Sequence, residues 1–109
     1  MEKIIIIRVP DTQKYVALGY AVVRIDRQTP VGNPFYMHNE AERDTVCDQY
    51  KEYFNRKITE KTDTMFLDYL RTIYKLALQK PVALACWCAP KRCHGETIKA
   101  FIESFRKTK

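Results

Sequence analysis

The chain has 109 residues, 46% hydrophobic and 12% aromatic, with three glycines and five prolines; that is enough for one domain with its own core, too little for two, and not the composition of a disordered segment. A formal net charge of +6 favours an anionic partner without saying whether it is a nucleic acid or a small phosphorylated molecule. No apolar run approaches the roughly 18 residues of a membrane span, Met1-Glu2-Lys3 and the isoleucines after it do not form a secretory signal, and four cysteines without a framework spacing point to reduced thiols in a cytoplasmic protein with no membrane partner.

Lys3 to Val9 reads as a strand buried on both faces, because four consecutive isoleucines are β-branched and leave no polar side. A second strand is centred on residues 20 to 25, with Pro10-Asp11 as the turn between them. No helix is expected in that gap, so the first two strands either pair antiparallel or form one bent excursion of the sheet edge. Residues 26 to 38 are a loop, broken by Thr29-Pro30-Val31-Gly32-Asn33-Pro34. Asn39 as N-cap and Glu42 three positions on make a capping box, opening a helix that carries Val46, Tyr50, Tyr53 and Phe54 to about Arg56. A further helix covers roughly Asp63 to Leu78, with Phe66, Leu70, Ile73 and Ala77 on one stripe. Pro81 ends it, and Val82 to Trp87 is the third strand. A last helix runs from about Cys93 to Arg106, with Ile98, Phe101, Ile102 and Phe105 on its apolar face. The order predicts a single α/β domain over residues 1–109, a small Rossmann-like fold with a short, largely parallel sheet of about three strands and three main helices. Strand order is not readable from the pattern, nor is the oligomeric state.

Function concentrates in Cys86-Trp87-Cys88-Ala89-Pro90-Lys91-Arg92-Cys93-His94-Gly95, where the third strand hands over to the last helix, the place where α/β proteins carry their chemistry. Four readings of this segment stand side by side. Zinc would accept Cys86, Cys88, Cys93 and His94, but Cys-x-Cys on an extended strand holds its sulfurs about 7 Å apart, so no cofactor is expected and zinc is the minor alternative. An anion would suit the start of the last helix, where free N–H groups and the dipole meet Lys91 and Arg92 and Gly95 lets a ligand approach the backbone. A reactive thiol would be Cys93, its pKa lowered by the helix start and its basic neighbours, with His94 as acid or base and Glu96 as a carboxylate in the same turn. Packing is the fourth reading, and it suits Cys86, a small core residue. Cys47 is read as structural and His38 as a loop residue.

If the second and third strands run parallel, loops 26–38 and 88–95 rim one crevice. Arg24, Arg27, Thr29, Gly32, Asn33 and Arg43 then face Cys88, Lys91, Arg92, Cys93, His94 and Gly95. Val23-Arg24-Ile25, Gly32-Asn33-Pro34-Phe35, Arg43, Tyr50, Leu84-Ala85-Cys86-Trp87-Cys88-Ala89-Pro90 and Cys93-His94-Gly95 resemble, in the same order over roughly residues 22 to 105, the bacterial and phage family catalogued as domain of unknown function 4326. Glu96 keeps the acidic residue that usually follows Cys-His-Gly in that family. The resemblance implies a small α/β domain, often phage-encoded, whose shared motifs fall on the same two loops. The expectation is therefore a domain that holds a small anionic ligand, a nucleotide or nucleotide derivative, in that crevice, with thiol- or carboxylate-assisted chemistry through Cys93, His94 or Glu96 left open. The rivals are a nucleic-acid-binding module built on the basic C-terminal helix and a zinc-stabilised structural domain.

Overall fold

The computed structural model describes residues 1–107; Lys109, one of the basic residues at the C-terminal end of the sequence, lies outside them. Three strands form one sheet: β1 (Ile4–Arg8), β2 (Ala21–Arg24) and β3 (Val82–Cys86). Their order is β1-β3-β2 and every pairing is parallel, with Ile4 beside Val82 on one side and Ala21 beside Val82 on the other. The antiparallel pairing of the first two strands is thus overturned. They never touch, because β3 lies between them.

The connection that makes them parallel is a helix where none was expected. A 3-10 turn at Val9–Asp11 leads into α1 (Thr12–Ala17), which ends before Gly19 at φ 93°. That glycine is the stop signal of a short helix, since only glycine takes the left-handed region freely. Twelve residues separate Arg8 from Ala21, about the minimum for a parallel crossover.

β3 is buried along its whole length because both faces are covered. Val82, Leu84 and Cys86 point into the main core with Ile4, Ile25 and the apolar stripes of the large helices, α2 (Arg43–Glu60), α3 (Thr64–Ala77) and α4 (Gly95–Glu103). Ala83, Ala85 and Ile7 point the other way, toward Tyr15 of α1, Tyr20 and Val22. The fold is a small Rossmann-like α/β domain with four helices, one more than expected, arranged one against three across the sheet.

The α3 stripe falls where its spacing predicts, with Phe66, Leu70, Ile73 and Ala77 buried. On α4 Ile98 and Ile102 are buried, but Phe101 is half-buried and Phe105 is exposed on a 3-10 turn (Ser104–Lys107), since α4 stops at Glu103 rather than near Arg106. The capping box is realised differently. Asn39 makes no side-chain cap; Glu42 Oε1 instead accepts the backbone N–H of His38 at 2.8 Å, and a 3-10 turn at Glu40–Glu42 precedes α2. α2 runs past Arg56 to Glu60 and stops at Lys61 in the left-handed region (φ 58°). Among the described residues no helix is long and apolar enough to cross a membrane.

Candidate functional site

Parallel β2 and β3 bring their carboxyl ends to one edge, and the loops leaving them rim a crevice of about 470 Å³. One wall is the segment after β2, carrying Asp26, Arg27, Asn33 and Tyr36; the floor and far wall come from Cys86, Trp87, Cys88, Cys93 and His94, closed by Arg43 and Cys47 of α2.

The β2 loop is built by short-range bonds. Thr29 donates both its N–H (2.9 Å) and its hydroxyl (2.8 Å) to the Asp26 carbonyl, and Gly32 donates to the Thr29 carbonyl at 3.0 Å. The turn is so tight that a Cβ on Gly32 would lie 2.5 Å from the Asp26 carbonyl oxygen. Asn33 Oδ1 accepts the Phe35 N–H at 2.9 Å, and Arg27 clamps the loop by donating to the carbonyls of Asn33 (3.0 Å) and Phe35 (2.7 Å) with its guanidinium 4.0 Å over the Tyr36 ring. Tyr50, fully buried on α2, donates its hydroxyl to the Val31 carbonyl at 2.7 Å and anchors the loop to the core.

Asp26 is the centre of this wall. It follows β2 within two residues, is 7% exposed, and receives the Arg24 guanidinium and Trp87 Nε1 (3.2 Å) on Oδ2. The Arg24 bond holds its carboxyl below the usual carboxylate value, outweighing burial, so the group is ionised at neutral pH. Its other oxygen, Oδ1, is buried without any hydrogen-bond partner. A buried acceptor of this kind is costly unless something completes it.

Across the crevice His94 is 7% exposed, and its Nε2 meets the Ile25 carbonyl at 2.5 Å. Burial pushes its pKa down. The ring is neutral, and because the Ile25 carbonyl can only accept, Nε2–H is the donor and Nδ1 carries the lone pair. Tyr50 stacks edge-on at 5.0 Å and fixes the ring plane.

The cations around the crevice are already engaged. Arg43 grips Glu40 through two bonds (2.7 and 2.8 Å), which lowers the Glu40 carboxyl to about 2, and donates to the Arg92 carbonyl at 2.9 Å. Arg92 pairs with Asp44 (3.0 Å) and Asp48 (2.9 Å), and Lys91 with Glu40 at 3.3 Å. The N–H groups opening α4 are taken up within the chain: Gly95 donates to Cys93 Sγ (3.3 Å), Glu96 to the Cys93 carbonyl (3.2 Å) and Thr97 to the His94 carbonyl (3.1 Å).

Of the residues singled out from the sequence, Arg27, Asn33, Arg43, Cys86, Cys88, Arg92, Cys93 and His94 line this crevice. The others stand elsewhere. Arg24 lies over Trp87 and pairs with Asp26; Thr29 and Gly32 hold the turn; Lys91 is exposed. Gly95 is a packing glycine, since a Cβ there would sit 2.9 Å from Ile25 Cδ1. Glu96 faces a separate hollow with Lys51 and Asn55. Cys88, Cys93 and His94 do not converge: among the described residues no three His, Cys, Asp or Glu side chains are grouped to hold a metal. Asp26 and Tyr36 were missed. For Asp26 the signal was present, a charged residue directly beyond the carboxyl end of an apolar strand.

A family model described as Domain of unknown function (DUF4326) matches residues 10–104, reaching back past residue 22, where the recognised motifs begin, to include α1 and β2. No curated protein and no solved structure matches the chain.

Proposed function

The chain belongs to the DUF4326 family, and we propose that it binds a small nucleotide-like ligand in the crevice between loops 26–38 and 88–95. The observation that carries this reading is Asp26 in the crevice wall, an ionised carboxylate whose Oδ1 is buried and has no hydrogen-bond partner among the described residues. It calls for a hydrogen-bond donor from a ligand, and a sugar hydroxyl or a base amino group supplies one. The volume of about 470 Å³ falls in the range of small-molecule sites. Tyr36 and Trp87, 70% and 56% exposed at the rim, offer rings for stacking. Arg27 spends two of its three nitrogens on backbone carbonyls and keeps the third for an anionic group. The reading is one of binding: Glu96 stands outside the crevice, and the Cys93 thiol already contacts Cys86 and Gly95.

The test has two parts. Native mass spectrometry of freshly purified protein is expected to show a bound small molecule, or calorimetric titration with the four ribonucleoside monophosphates to show binding of at least one. Asp26→Asn removes a charge-assisted bond worth about 1.5–3 kcal/mol, so affinity is expected to fall by roughly 10- to 100-fold. Absence of binding in both measurements, or an Asp26→Asn protein of unchanged affinity, overturns the proposal.

A further inference from the structure

We propose that Cys86 and Cys93 form an oxidisable dithiol in the floor of the crevice, converted to a disulfide by a small hydroperoxide. Their sulfurs lie 3.3 Å apart although the residues are seven positions apart in the chain. Cys86 is the last residue of β3 and Cys93 stands two residues before α4, so the pair closes the strand-to-helix loop. That loop is held at both ends: the Lys91 N–H donates to the Cys88 carbonyl at 2.9 Å, and Arg43 donates to the Arg92 carbonyl at 2.9 Å. A disulfide needs the sulfurs at about 2.0 Å, a shift of side-chain size.

The thiols are 1% and 4% exposed, yet both border the crevice, so a molecule the size of hydrogen peroxide reaches them through it and a protein thiol does not. The surroundings also divide the roles. Cys93 S–H, the backbone N–H groups of Cys88 and Ala89 and the nearby Arg43 charge bring the Cys86 thiol down, against burial, while Cys93 is pushed up. Cys86 is therefore the thiol of the pair that ionises first and attacks. The thiolate attacks one peroxide oxygen: an S–O bond forms, the O–O bond breaks, and the departing oxygen takes up a proton as water or an alcohol. Cys93 sulfur then attacks the Cys86 sulfenic acid: the S–S bond forms, the S–O bond breaks, and water leaves with the Cys93 proton. Two electrons pass from the two thiols to the peroxide. The inference does not rest on the nucleotide reading, because it needs only the crevice and the sulfur pair. If Cys86 and Cys93 served packing alone, folding would only protect them, and their oxidation would be slower in the native protein than in urea.

The full chain is treated with hydrogen peroxide, its remaining thiols are alkylated under denaturing conditions, and the protein is digested with trypsin. Lys91 and Arg92 lie between the two cysteines, so the digest separates them unless they are bonded, and mass spectrometry identifies the linked peptides directly. The expected result is a Cys86–Cys93 link formed at least about tenfold faster in the native protein than in 6 M urea, and faster than any link to Cys47 or Cys88. Cys93→Ser should leave a Cys86 sulfenic acid that dimedone traps. The proposal fails if the link forms no faster in the native protein than in urea, or if native oxidation goes first to Cys88 or Cys47. The wild-type measurement stands alone if a variant does not fold.

Discussion

Removing the single oxygen of Tyr50 tests whether the crevice wall is held from the core. Its hydroxyl donates to the Val31 carbonyl at 2.7 Å, and both residues are fully buried. No other donor reaches that carbonyl among the described residues. Tyr50→Phe keeps the ring against Phe54 and His94 and leaves a buried acceptor without a partner and without water. The cost of such an orphan is about 1–3 kcal/mol. For a domain of this size each kcal/mol moves the melting temperature by roughly 4–8 °C, so a fall of about 4–24 °C is expected by circular dichroism. Tyr53→Phe is the control: its ring packs beside Tyr50, but its hydroxyl makes no hydrogen bond within the described residues, and the change should stay within about 0.5 kcal/mol. A Tyr50→Phe protein as stable as the Tyr53→Phe control would refute the claim that loop 26–38 is pinned at Val31.

Two further outcomes follow from the same wall. Gly32→Ala sets a Cβ 2.5 Å from the Asp26 carbonyl oxygen and 2.6 Å from Arg27 Cα, both backbone atoms, whereas Gly95→Ala meets first the movable tip of Ile25 at 2.9 Å; urea unfolding should show a loss of about 3 kcal/mol for the first and clearly less for the second, and the reverse order would contradict the packing described. His94 is held below its ordinary value, first by burial and then by the Arg27 charge, against its bond to Ile25 and the Asp26 charge. The unfolded chain therefore binds more protons just below pH 6.5, so the His94 contribution is complete above that pH and is lost as pH falls through the folded value, with a slope of at most about 1.4 kcal/mol per pH unit. Unfolding at pH 7.0 and 5.5 should show a larger acid loss for wild type than for His94→Gln, in which the Cys86–Cys93 titration still operates and cancels; equal losses would mean that the ring is not buried neutral.

The parts of this molecule legible in its sequence are those set by repeated local patterns. Four apolar positions at helical spacing gave α3 its buried face, and apolar runs marked β1 and β3 as strands. The isoleucines predicted burial on both faces for β1, but β1 lies at the sheet edge with Ile5 and Ile6 half-buried and Arg8 exposed, and it is β3, between β1 and β2, that is covered throughout. The convergence of two loops sixty residues apart followed from parallel strands alone. α1 was invisible because its six residues bury no side chain fully and its start carries no side-chain cap; only Gly19 marked it. Strand order has no local signature. The start of α4 illustrates a different limit: Cys93-His94-Gly95 has the sequence of an open helix N-terminus, but the Cys93 side chain turns back to accept from Gly95. That choice of rotamer depends on Cys86, a partner supplied by another element.

The net charge of +6 is a poor guide to the polarity of the crevice and to the ligand proposed for it. Arg43 and Arg92 contribute positive charge to its lining, but Glu40, Asp44 and Asp48 already meet their guanidinium groups at 3.0 Å or less. Those pairs brace α2 against loop 88–95 rather than waiting for an anion. The groups left with unused capacity are of both kinds, two acceptors (Asp26 Oδ1 and His94 Nδ1) against the remaining Arg27 nitrogen and the Asn33 amide nitrogen. An inorganic anion would satisfy only the donors and leave the Asp26 charge facing it, a repulsion in a poorly hydrated site. A ligand with donors at one end and an anionic group at the other satisfies both sets at once. It is this mixed polarity, and not the basic composition, that favours a nucleotide-like molecule over free phosphate.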